Sequence, residues 1–188
     1  MRAAGTASVK GGERLRLFVA LLLPESALAG LVAWQERAFR GARNVRVVPS
    51  SNLHVTLAFL GGRPAAELPA IVEVVHQTAR ETEPPLLEPA RYRETRSVGM
   101  IVLTDEERRA TRLAGRLFRG LERLGVYEPE RREWLPHVTV VRFRERPRLR
   151  PEIPQLGPVV SSEMAIMMSR LRPTGAQYEV LESVPLGG

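Results

Sequence analysis

Three histidines occur in this 188-residue chain, and two of them share a four-residue frame: His54-Val55-Thr56-Leu57 and His137-Val138-Thr139-Val140. Histidine titrates near neutrality, so a facing pair can divide the labour of acid and base. A neutral imidazole takes a proton from water while an imidazolium gives one to a departing oxygen. A threonine hydroxyl beside each ring can donate a hydrogen bond to a non-bridging phosphate oxygen, and such positioning carries most of phosphoryl transfer. A cyclic phosphodiester suits this set, because its ring opens when water attacks and one ester oxygen leaves with a proton. No metal is required.

Both frames lie in β-branched, apolar surroundings that predict strands. Residues i and i+2 of a strand share a face, so each histidine should stand beside its threonine. Val55 and Leu57, and likewise Val138 and Val140, then turn toward a core. A lone His-x-Thr is a weak signal; two copies 83 residues apart in matching contexts point to one divided site. The rival for paired histidines is zinc, which needs a third protein ligand, His76 or a carboxylate. Local spacing supplies none, there is no HExxH, and no metal ligand is assigned. His76 falls on a helix without a threonine partner and reads as a surface or half-buried residue. The absence of a Gly-x-Ser-x-Gly elbow argues against a serine hydrolase.

Composition sets the background. Hydrophobic residues make up 44% and charged residues 26%, the balance of a soluble globular protein with a real core. The net charge is +7, and Lys10 is the only lysine, leaving arginine as nearly all of the basic complement. A GC-rich genome accounts for arginine codons, but the guanidinium fork also grips phosphate in a bidentate way. With no cysteine, disulfides, thiol nucleophiles and thiolate metal sites are excluded, and a reducing cytoplasm is the expected setting. The apolar run Leu17–Leu23 behind Arg2 and Lys10 imitates a secretory leader. At seven residues it is at the short limit for one and far below a membrane span, and it reads as a buried strand.

The predicted order begins with a mobile tail over 1–13 and a strand over Leu15–Leu23. A helix opened by Pro24 follows, carrying Leu28, Leu31, Val32 and Phe39 on one face and ending near Gly41. After an extended piece at Val45–Val48 and a turn at Pro49–Asn52 comes the first His-x-Thr strand. Pro69 can open a second helix with Ile71, Val74, Val75 and Thr78 inward, and Thr82–Pro85 is a boundary between two lobes. Strands follow over Leu86–Arg93 and Val98–Thr104, with Asp105 as N-cap of a helix over Glu106–Leu124. That helix places Ala110, Leu113, Ala114, Leu117, Leu121 and Leu124 inward and an arginine ridge on its solvated outer face. The second His-x-Thr strand ends in a basic loop with Arg144, Arg146, Arg148 and Arg150. A hairpin of Glu163–Leu171 and Gln177–Val184, joined through Pro173-Thr174-Gly175, closes the chain. Phe18 stands 36 residues before His54 and Ile101 stands 36 before His137, which suggests a duplicated strand–helix–strand unit.

Four segments carry a family resemblance: Arg16–Ala20, Val45–Gly61 (VRVVPSSNLHVTLAFLG), Pro136–Phe143 (PHVTVVRF) and the ending SRLRPTGAQYEVLESVPL. They resemble the two-histidine (2H) phosphoesterases, and within them the LigT-like RNA 2′,3′-cyclic phosphodiesterases, also called ThpR. The resemblance runs from Arg14 to Leu186. It implies a bilobal α+β fold over 14–188, with two pseudo-symmetric lobes of mainly antiparallel sheet, outer helices and a central cleft. It implies hydrolysis of a terminal 2′,3′-cyclic phosphate of RNA, or of a nucleoside 2′,3′-cyclic phosphate, to a 2′-phosphate without metal or cofactor. Some members are associated with 2′-5′ RNA ligation, and an RNA-end-binding protein without catalysis is a further alternative. By the same resemblance His137 is the base, His54 the acid, and Thr56 and Thr139 the phosphate ligands. Arg142 falls where the family commonly has arginine, although strand parity puts it on the wrong face unless a bulge intervenes. Phe18 matches an aromatic position that could border a base pocket, with core packing as the other account. A monomer without membrane attachment is expected.

Overall fold

In the computed structural model the described residues are 13–173 and 175–187. The tail expected over 1–13 thus lies outside them except for Glu13, as does Thr174. The elements are β1 (Arg14–Leu21), α1 (Glu25–Ala38), β2 (Val45–Val47), β3 (Val55–Pro64), α2 (Leu68–Arg80), β4 (Leu86–Glu94), β5 (Val98–Thr104), α3 (Arg109–Arg123), β6 (His137–Phe143), β7 (Val159–Val160), β8 (Glu163–Arg172) and β9 (Gly175–Pro185). All nine strands join one antiparallel sheet in the order β7-β4-β5-β6-β3-β1-β8-β9, with β2 also paired to β6. This is the expected α+β architecture in two halves. A single backbone pair, Val55 with Val138, joins β3 to β6 at the centre.

The helices cover one face of the sheet. Against it lies the main core, to which β1 contributes Leu15, Leu17, Val19 and Leu21. The opposite, open face has its own small cluster of Phe18, Ala20, Ala165 and Met167. Two apolar faces explain why β1 reads as an unbroken hydrophobic run instead of alternating. α1 buries Ala27, Leu31, Trp34 and Gln35, and Pro24 with Glu25 opens it as the sequence suggests. α2 turns Ile71, Val75, Thr78 and Ala79 inward. It meets α3 closely enough that a Cβ on Gly120 would come within 2.6 Å of Val74 Cγ1. No helix among the described residues is long and apolar enough to cross a membrane.

α3 departs from expectation at both ends. It begins at Arg109, not Glu106, after Arg108 adopts a left-handed φ of 54°. Asp105 still caps it, accepting from the Thr111 backbone N–H at 2.7 Å and the Ala110 N–H at 3.3 Å across the intervening turn. At the far end Leu124 is 37% exposed while Val126 is buried. Gly125, at φ 74°, reverses the chain, and the Val126 N–H donates to Leu121 O; the apolar contact is thereby handed past the helix end.

The internal repeat is present, but in a different alignment. In β1–β3, Phe18 pairs with Phe59 and Ala20 with Thr56; in β5–β6, Val98 pairs with Arg142 and Met100 with Thr139. The counterpart of Phe18 is therefore Val98, not Ile101. Equal spacing in the sequence was coincidental, because the helix-containing connections differ in length by three residues.

Candidate active site

The central pair places the site. Val55 and Val138 are opposite one another and both buried in the main core. One step either way along the same register sets His54 across from Thr139 and Thr56 across from His137. All four side chains thus emerge at the middle of the open face, and all four residues are half-buried. The two frames converge because each apolar partner is drawn into one shared core. Neighbouring contacts fix the seam: Trp134 Nε1 donates to Thr56 O at 3.1 Å, and the Leu103 N–H donates to Pro136 O at 2.9 Å.

Both strands carry a bulge at the same place. The β1–β3 register jumps between Thr56 and Ala58, leaving Leu57 as the extra residue. The β5–β6 register jumps between Thr139 and Val141, leaving Val140. Each extra residue is the third after its histidine, and each bulge inverts the parity beyond it. Residues five beyond the histidines, Phe59 and Arg142, therefore return to the open face. Simple alternation hid Arg142 on the core side; the bulge brings it back, close enough that its charge acts on His54. Phe59, 62% exposed, is the residue sequence reasoning missed, although its matching offset from His54 could have flagged it.

Gln35 secures the second bulge from beneath. Its Nε2, buried on α1, donates to Val140 O at 2.8 Å and Val48 O at 3.0 Å. The Val48 N–H also donates to Val140 O, tying the end of β2 to the extra residue. β2 in turn sets Arg46 opposite Arg142 on the open face. A polar residue buried in a helical stripe was the available signal for Gln35, and nothing in a three-residue strand singled out Arg46.

The histidines differ in surroundings. His137 lies 2.8 Å from Leu135 O through Nδ1. A proton on Nδ1 donates to that carbonyl and leaves Nε2 with its lone pair for the cleft. His54 lies 3.1 Å from Thr56 Oγ1 through Nε2. Its ring rests on Phe18, centroids 5.0 Å apart, and meets the edge of Tyr178 at 5.4 Å. This enclosure, with the charges of His137 and Arg142, lowers its pKa to about 4 against a weaker opposing pull from the Asn52 backbone. Phe18 is 2% exposed and packs beneath His54 on the open face, against Tyr178. A hollow of about 530 Å³ opens beside Tyr178, between the Pro49–Asn52 turn and β9. Asn52 Nδ2 fastens its wall by donating to Ala176 O at 2.9 Å.

His76 stands apart from this constellation, 3.0 Å from Glu182 on β9 and half-buried as expected. Among the described residues no three histidine or carboxylate side chains are gathered to hold a metal ion. What the register brings together on the open face is two imidazoles, two hydroxyls and a guanidinium: two groups able to exchange protons and three able to hydrogen-bond an anion.

Residues 23–167 match the model of the 2′-5′ RNA ligase superfamily, and the chain belongs to that family of two-histidine phosphoesterases. Among curated proteins it is 34% identical over 183 residues to an RNA 2′,3′-cyclic phosphodiesterase of Thermus thermophilus, covering 93% of this chain and 91% of that protein. A crystal structure of a Thermus thermophilus protein superposes with a TM-score of 0.80 at 33% identity, over 93% of this chain and 99% of that one. The apo structure of Escherichia coli LigT gives 0.77 at 24% identity, over 94% and 100%, and so shares the fold.

Proposed function

We propose that the protein is an RNA 2′,3′-cyclic phosphodiesterase that hydrolyses the terminal cyclic phosphate to a 2′-phosphate. The central register carries the reading: it sets His54 beside Thr139 and His137 beside Thr56 on one face. In this mechanism His137 Nε2 takes a proton from water as the water oxygen bonds to phosphorus. The P–O3′ bond breaks, and His54 gives its proton to O3′. Thr56, Thr139 and Arg142 hold the non-bridging oxygens and balance the charge that builds on them. His54 is neutral at neutral pH in the free protein, its pKa being about 4. The anionic substrate opposes that depression and lets the ring take up the proton it later donates. The chain fits a monomer working in a reducing cytoplasm.

The test is turnover of a nucleoside 2′,3′-cyclic phosphate with the product identified by phosphorus NMR. Wild type should give the 2′-phosphate alone, with or without EDTA. His54→Ala and His137→Ala should each lose roughly 10²–10⁴-fold in kcat while unfolding as cooperatively as wild type. A 3′-phosphate product, or loss of activity with EDTA, would overturn the mechanism. Adding a 5′-hydroxyl oligonucleotide examines the reverse use of the site: a longer, 2′-5′-linked product would show that the cleft also ligates.

A further inference from the structure

The two wings of the open face are chemically unlike. Beyond the first motif the cross-strand rows run Thr56–Ala20–Ala165–Ser183 and Phe59–Phe18–Met167–Val180, apolar except for the threonine and serine at the two ends of the first. Beyond the second they run His137–Val102–Arg91 and Thr139–Met100–Arg93. The arginines reach this face because β4 also has a bulge. Its register passes from Pro89↔Leu103 to Arg91↔Val102, leaving Ala90 extra. Without it Arg91 and Arg93 would point at the core; with it Tyr92 and Glu94 do so instead, and Glu94 is buried there. Arg91 and Arg93 are exposed and make no hydrogen bond or ion pair among the described residues. They stand two strand spacings, roughly 10 Å, from the catalytic strand β6.

On the basis of the phosphodiesterase reading, we infer that Arg91 and Arg93 form a track for the phosphodiester linkages immediately 5′ of the reacting RNA end. With its cyclic phosphate fixed between the motifs, a strand must leave the cleft over one wing. On the first wing the rows beside the motif carry no cation, and the exposed Arg16 lies one step further along the same face of β1 from Phe18; the β4 wing offers two unpaired guanidinium groups in line with His137 and Thr139. The ordinary alternative is that charged residues guard a strand whose outer edge is unpaired here, since β7 covers only Leu86 and Leu87. The two accounts differ in what they demand of substrate length. A track matters to an oligonucleotide and is invisible to a mononucleotide.

The experiment compares wild type, the double variant Arg91→Gln/Arg93→Gln, and a charge control, Arg119→Gln/Arg123→Gln, on exposed positions of α3. Affinity for a labelled oligoribonucleotide ending in 2′-phosphate is read by fluorescence anisotropy over a salt series. Turnover of a mononucleoside 2′,3′-cyclic phosphate is measured separately. The β4 variant should bind the oligonucleotide roughly 5- to 20-fold more weakly, with a log–log salt slope shallower by about 1.4 for two lost phosphate contacts. Its mononucleotide kcat and KM should match wild type, and the α3 variant should bind like wild type. Unchanged affinity in the β4 variant, or equal weakening in the α3 control, overturns the track. Failure of wild type to turn over the mononucleotide would instead strike the phosphodiesterase reading, because binding is measured without catalysis.

Discussion

His54 is the residue on which pH should act most visibly. Burial first, then the His137 and Arg142 charges, bring its pKa from the ordinary 6.5 to about 4. Between those values the unfolded chain binds a proton that the folded one refuses. The stability is therefore complete above about pH 6.5 and is lost as pH falls toward 4. At about 1.4 kcal/mol per pKa unit the loss by pH 4.5 is about 2 kcal/mol. Urea unfolding at pH 7 and 4.5 should show His54→Gln losing that much less than wild type; equal losses would refute the assignment. In kinetics, kcat/KM reports the free protein and should carry a limb near pH 4. Arg142→Gln removes a repelling charge and should move that limb upward. Bound phosphate does the same, so the corresponding limb of kcat should lie at higher pH than that of kcat/KM.

At the level of elements, bulges decide what the strands present. Three extra residues, Leu57, Ala90 and Val140, return Phe59, Arg91 and Arg142 to the open face. Of these, the Val140 bulge has an external support in Gln35, which bridges Val140 O and Val48 O. Gln35→Leu keeps the bulk and removes both donors. Leaving buried carbonyls short of partners should cost about 1–3 kcal/mol. The informative readout is catalytic: kcat/KM should fall in Gln35→Leu, but not further when Arg142 is already glutamine, because Gln35 acts through Arg142. Fully additive losses in the double variant would reduce Gln35 to a general stabilising residue. Glu94 has a comparable duty nearby. Buried at the end of β4, it accepts from the Arg148 and Leu149 backbone N–H groups and from Arg146 Nε, and so shapes the basic loop after β6.

For the whole molecule, the two halves share little backbone pairing at the centre, so packing beneath the sheet must help hold them in register. α2 follows β3 and α3 precedes β6, and the two helices touch where Gly120 leaves room for Val74. Gly120→Ala puts a methyl group 2.6 Å from Val74 Cγ1 and should lower stability by about 1–3 kcal/mol, read as a fall in the urea midpoint. Val74→Ala added to it should restore most of the loss. If the double variant is less stable than either single one, close packing is not what glycine provides there.

The amino-acid order by itself determined a good deal. Alternating apolar residues around two His-x-Thr frames specified two strands with matched polar faces, and apolar periodicity specified α2 and the body of α3. Those are local properties, fixed by the two- and 3.6-residue periods of strand and helix. Which residues the frames finally meet was decided by tertiary structure. A bulge becomes visible only when a strand has a partner against which to count, so parity alone placed Arg142 on the wrong side and left Phe59 and the β4 arginines unread. Gln35 likewise acquired its role only when α1 crossed beneath β6, a contact 105 residues distant in the chain. Even the repeat could be aligned correctly only by hydrogen-bond register, since the connecting segments, unlike the paired strands, are free to differ in length.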